Sequence, residues 1–117
     1  MKIQLFEHDQ PPESFPADRV VFNEGERGDS MFAVPNGTVD LVMHGKVVET
    51  VEAGGVFGEM ALIEDKPRSA TAVVRMEAKL VTIDRKRFMF LVQQNPFFAL
   101  QLMTVMAERL RRMDESI

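Results

Sequence analysis

A chain of 117 residues with a net charge of −4 supports one domain, large enough to bury about 65% of its unfolded surface. It has no cysteine, which excludes a disulfide framework and a thiolate metal site, and its acidic balance argues against general nucleic-acid binding, which needs a basic surface. No signal peptide and no apolar run of ~18 residues is visible, so a single cytoplasmic domain over residues 1–117 without a membrane segment is expected.

In chain order, Met1 to Phe6 reads as a strand that Gln10-Pro11-Pro12 breaks off. Arg19–Asn23, Met31–Val34, Thr38–Met43 and Lys46–Val51 alternate or enrich apolar and β-branched residues. Turns are expected at Gly25-Glu26, Pro35-Asn36-Gly37, Gly45 and Gly54-Gly55. Short strands at this spacing predict an antiparallel barrel or jelly roll. Met60 to Ile63 reads as one short helical turn. Ser69–Val74 and Lys79–Asp84 follow as two strands flanking a polar turn at Met76-Glu77. The last third changes period: a helix capped at Asp84 or the next residue runs to Gln94, and Asn95-Pro96 opens a second that reaches about Asp114, on the order of 28 Å. The fold class is α+β, mainly β. The basic runs Arg85-Lys86-Arg87 and Arg109 with Arg111-Arg112 read as solvated helix faces balanced by nearby acids.

The chemistry concentrates in residues 57–71, FGEMALIEDKPRSAT. Gly58 has no Cβ and lets the backbone approach a ligand, and the short turn after it presents N–H groups that favour an anion. Arg68 adds a permanently charged, bidentate partner for a phosphate. Glu59 would repel an anion alone, so its presence points to a ligand that also carries hydroxyl donors, such as a ribose. Taken singly, Gly58-Glu59 is an ordinary helix start and Arg68 a surface arginine after a turn proline. Together they indicate a nucleotide.

Here the sequence resembles the cyclic nucleotide-binding domain family. Phe57, Gly58, Glu59, Met60, Ala61, Leu62, Ile63, Pro67, Arg68, Ser69, Ala70 and Thr71 match its phosphate-binding cassette. Glu24-Gly25-Glu26-Arg27-Gly28-Asp29-Ser30-Met31-Phe32 matches a hairpin of the family and Gly37-Thr38-Val39-Asp40-Leu41 one of its strands, so that the resemblance covers roughly residues 19–113. It implies that Glu59 holds the ribose 2′-hydroxyl, that Arg68 holds the cyclic phosphate, and that Gly58, Met60, Ala61 and Ser69 supply the remaining contacts. Leu41 is core with a second role as a wall on the base side. Arg109 and Leu110, on the last helix, are the positions for a lid, Arg109 by stacking on the base. The implied ligand is cAMP, ahead of cGMP on family frequency alone, with no cofactor or metal.

Two apolar stripes are expected on the last helix. Phe98, Leu102, Val105 and Met106 cover the sheet, while Ala99, Met103, Leu110 and Met113 serve as a seam for a homodimer or partner protein, or close over the ligand. The N-terminal segment is shorter than is usual in the family, and no helix-turn-helix follows the long helix, so the expectation is a sensor without its own effector or DNA-binding domain. A metalloenzyme is excluded, since His8 and His44 are not at ligand spacing, and no base, nucleophile and orienting third group can be assembled. The competing reading is a degenerate member that serves as a dimerisation or interaction module without nucleotide. Retention of both Glu59 and Arg68 argues against it, because a module freed of ligand has no reason to keep a buried unpaired charge.

Overall fold

A computed structural model describes residues 11–115, with side chains as far as Arg112, and the strand expected over Met1 to Phe6 lies outside that range. Six strands form one antiparallel sheet: β1 (Glu13–Phe15), β2 (Val20–Phe22), β3 (Ser30–Met43), β4 (Lys46–Val51), β5 (Val56–Phe57) and β6 (Thr71–Asp84). A short helix, α1 (Met60–Glu64), interrupts the strands before β6, and α2 (Arg85–Gln94) and α3 (Pro96–Glu115) follow. The main path is β1-β6-β3-β4, with β2 also on β6 and β5 on β3, and the sheet does not close into a barrel. Among the described residues no helix is long and apolar enough to cross a membrane.

The two long strands correct the sequence reading. Met31–Val34 and Thr38–Met43 are not separate strands around a Pro35-Asn36-Gly37 turn but parts of β3, and Ser69–Val74 and Lys79–Asp84 merge into β6. The expected turn residues are absorbed as register shifts at Ala33/Asn36, Asn36/Thr38 and Thr38/Val39 where the two strands pair. Gly37 permits this: its φ is +93°, and a Cβ there would stand 2.4 Å from the Ala78 Cα, so only glycine lets the backbones pass so closely. By contrast, the β3–β4 hairpin turns on His44 and Gly45, both with positive φ, as a two-residue loop joining right-twisted strands requires.

Period-two alternation divides the core. In β3, Met31 and Ala33 face the helices while Phe32 and Val34 face the inside of the folded sheet, and Val56 and Phe57 of β5 divide the same way. The helix-side cluster takes Leu91 from α2 and Phe98, Leu102 and Val105 from α3, which is the first of the two expected stripes. Asp84 caps α2 by accepting from Arg87 N at 2.7 Å, and Asn95 Oδ1 accepts from Phe98 N at 3.3 Å at the start of α3. Of the second stripe, Met103 and Leu110 are exposed (63% and 64%) and Ala99 is partly buried, while Leu100 beside it is 58% exposed.

Candidate functional site

The loop from β5 through α1 to β6 carries two buried charged side chains, Glu59 at 2% and Arg68 at 8% exposure. Chain geometry forces both inward. Arg68 is clipped to the turn that precedes β3 by its own backbone, donating to Glu26 O and accepting from Gly25 N, each at 2.8 Å. Its guanidinium then donates to Gly58 O at 2.8 Å and Ser30 O at 2.7 Å and lies 4.1 Å from the centre of the Phe22 ring. Two glycines make room for it. A Cβ at Gly58, where φ is +80°, would stand 2.8 Å from Arg68 Nη1, and one at Gly28 would stand 2.3 Å from Nε.

These acceptors are neutral carbonyls, and among the described residues no carboxylate forms an ion pair with Arg68. Burial lowers the pKa of the guanidinium from its ordinary value, and the fields of Asp29, Glu26 and Glu59 offset this only in part. The site therefore holds a buried cation with no carboxylate in contact among the described residues, and a forked guanidinium of this kind is chemically suited to an oxyanion.

Glu59 is in the opposite condition. Its Oε1 accepts from Arg109 Nη1, while Arg109 Nε donates to Glu49 Oε1 and Oε2 at 2.9 and 3.1 Å and Nη2 donates to Val56 O. This corrects two expectations. Arg109 is not a stacking lid: its guanidinium is committed to two carboxylates and a carbonyl, joining α3 to β4 and to the cassette. Nor is Glu59 an unpaired buried charge, so retention of a carboxylate there does not by itself speak for a ligand. Leu110 is exposed and does not cover the site.

Of the other expected residues, Ala61 is on the buried face of α1, Met60 and Ser69 are exposed, and Leu41 is partly buried against the inner core of the sheet. Sequence reasoning missed Phe22, the carbonyl of Ser30, Glu49 and Arg85 as parts of this neighbourhood. Gly28, quoted within the Glu24–Phe32 motif, has no positive φ to require a glycine, and its missing Cβ makes room for the Arg68 guanidinium instead.

A buried cation that lacks a counter-ion, beside a carboxylate on a glycine-led short helix, is the arrangement expected of a phosphate and sugar-hydroxyl site, and the cyclic nucleotide-binding domain profile matches residues 12–95. The chain belongs to the cyclic nucleotide-binding domain family. It is 33% identical over 84 residues to the cAMP-dependent protein kinase regulatory subunit of Candida albicans, covering 72% of this chain and 18% of that one. The crystal structure of Thermus thermophilus catabolite activator protein superposes with a TM-score of 0.80 at 28% identity, covering 91% of this chain and 52% of that one. A structure described as Sp-2Cl-cAMPS bound to PKAR CBD2 superposes with a TM-score of 0.71 at 28% identity, over 89% of this chain and 71% of that one. The chain thus spans under a fifth of the Candida protein and about half of the Thermus protein. The match of the cyclic nucleotide-binding domain ends at Asn95, so α3, which supplies Arg109, lies beyond it.

Proposed function

We propose that this chain is a sensor for a cyclic mononucleotide, cAMP ahead of cGMP, in which Arg68 takes the cyclic phosphate and Glu59 the ribose 2′-hydroxyl. Gly58, Met60, Ala61 and Ser69 complete the contacts and Leu41 forms part of the base wall. The observation that carries this reading is the buried Arg68 guanidinium, satisfied only by neutral carbonyls. Glu59 remains competent beside it, because Arg109 engages Oε1 and leaves Oε2 to accept from a hydroxyl. The preference for cAMP rests on the names of the similar proteins above.

The sensing role is regulatory rather than catalytic, and the output passes through α3. Leu100, Met103, Ala107 and Leu110 recur at the 3-4-3 spacing of a coiled-coil seam and are all exposed, which fits a homodimer packed along this helix. Calorimetric titration with cAMP, cGMP and a cyclic dinucleotide tests the ligand. The expected result is saturable binding of a mononucleotide, with stabilisation of about 2.7 kcal/mol at a hundredfold excess over the dissociation constant. No heat and no thermal shift with either mononucleotide at millimolar concentration refutes it. The second reading, an interaction module without nucleotide, is favoured by one observation: Arg109 satisfies Glu59 with no ligand present.

A further inference from the structure

The basic run at the start of α2 is not simply a solvated face. Arg85 reaches back 23 residues to the far end of the cassette helix, where Nη1 donates to Leu62 O at 2.9 Å and Nη2 approaches Ala61 O at 3.5 Å. A helix of five residues is too short to hold itself together, and its last carbonyls have no partners within the helix. Helix α1 has no basic residue in its own last turn, and its C-cap, Asp65, has left-handed φ and ψ of 52° and 44°. Arg85 supplies from another element the cationic cap that α1 lacks. Asp65 also lies 3.9 Å from Arg85 and 3.7 Å from Arg27, so the same contacts tie the end of the cassette to the turn that carries Glu26 and clips Arg68. The base of Arg85 is itself fixed, since Asp84 before it caps α2.

We propose that Arg85 is a positioning residue for the ligand site: by holding the C-terminal carbonyls of α1 it sets the height and tilt of the helix at whose other end Glu59 stands. This rests on the ribose role given to Glu59 above. Geometry fixes the consequence. Arg68 is held mainly away from α1, its backbone on Glu26 and Gly25 and its guanidinium on Ser30 O, with Gly58 O the one contact it shares with the start of the helix. Loosening α1 therefore weakens the hydroxyl contact more than the phosphate contact, whereas general destabilisation would weaken both ligands alike.

The test compares wild type, Arg85→Ala and Arg85→Lys by calorimetric titration with cAMP and 2′-deoxy-cAMP, with thermal unfolding to establish that each variant is folded. Arg85→Ala should bind cAMP roughly three- to tenfold more weakly, a charge-assisted bond discounted for a half-exposed side chain, while its affinity for 2′-deoxy-cAMP changes little. The preference of the wild type for cAMP over the deoxy ligand should shrink by the same factor. Arg85→Lys, which keeps the cation but not the fork, should recover part of that preference. Equal weakening of both ligands, or no change in either, overturns the positioning role while leaving the nucleotide site intact. A wild-type protein that binds neither cAMP nor cGMP refutes the reading beneath it, and this inference with it.

Discussion

Replacing Arg68 separates binding from folding more cleanly than any other single change. In the unliganded protein Arg68→Ala removes two hydrogen bonds from a charged donor, worth roughly 1.5–3 kcal/mol each at most, and the contact with the Phe22 ring. It also removes a buried cation with no counter-ion, whose desolvation acts with the opposite sign. The sign follows from the lowered pKa: a base whose pKa falls on folding destabilises the fold wherever it is charged, which for arginine is the whole working pH range. The two effects oppose each other, so the unliganded melting temperature should move by no more than the equivalent of ~2 kcal/mol. Binding behaves differently, because the phosphate carries the ligand's only formal charge and its main partner is lost. Arg68→Ala should cost several kcal/mol, at least two decades in affinity by calorimetry, and Arg68→Lys should fall between, since it keeps the charge but a compact ammonium lacks the planar fork that reaches two separate carbonyls and a phosphate at once. Unchanged affinity in Arg68→Ala would show that this cation does not meet the phosphate. Collapse of the unliganded fold would show instead that its carbonyl bonds are structural first.

Three further expectations follow from the same contacts. Glu59→Gln should weaken cAMP by about 1–2 kcal/mol while 2′-deoxy-cAMP loses little more, because the two changes remove one interaction; simple addition of the losses in titration would disprove the assignment. Arg109→Gln strands Glu59 without its cation, with side chains only 18% and 3% exposed, and should lower unliganded stability by about 3 kcal/mol in denaturant melts; a parental midpoint would mean the pair contributes nothing. Leu110→Glu changes an exposed position and should leave monomer stability within about 0.5 kcal/mol while dissociating the proposed dimer in sedimentation; a dimer that survives both this change and Leu100→Glu uses another surface.

The parts of the molecule written in local pattern were legible in its sequence. Asp84 and Asn95-Pro96 marked both helix starts, the spacing of Phe98, Leu102 and Val105 gave the buried face of α3, and Glu59 and Arg68, singled out with Gly58, are the two charged side chains buried among the described residues. What escaped depends on distant partners. Pro35-Asn36-Gly37 has the composition of a turn, yet β6 lies alongside and pairs both before and after it, so tertiary pairing turns the segment into a bulged strand. Strand β1 has only Glu13, Ser14 and Phe15 and no period to read; it is a strand because β6 offers it an edge. Arg109 meets Glu59 across 50 residues and Arg85 meets Leu62 across 23, and nothing in the spacing of either arginine distinguishes it from a solvated one.

The charges around the cassette explain why a carboxylate is tolerable beside a phosphate. Arg68, Arg109 and Arg112 converge there with Glu49 and Glu59, yet they do not pair one to one: Arg109 serves both glutamates, Arg112 lies 3.9 Å from Glu49, and Arg68 has no carboxylate in contact. Sharing one cation between two acids leaves the other cation free for an incoming anion, and it neutralises the field of Glu59 at the point where the phosphate would feel it most. The same pairing fixes Glu59 through Oε1, so that Oε2 is presented as an oriented acceptor rather than a mobile one. Because the fixing residue belongs to α3, the ribose contact proposed for Glu59 and the position of that helix are parts of one bonded network. A ligand that pulls on Glu59 therefore also acts on the element whose opposite face carries the exposed Leu100, Met103 and Leu110. Cutting Arg109 should consequently separate ligand binding from any change in subunit association, while cutting Arg68 should abolish both together.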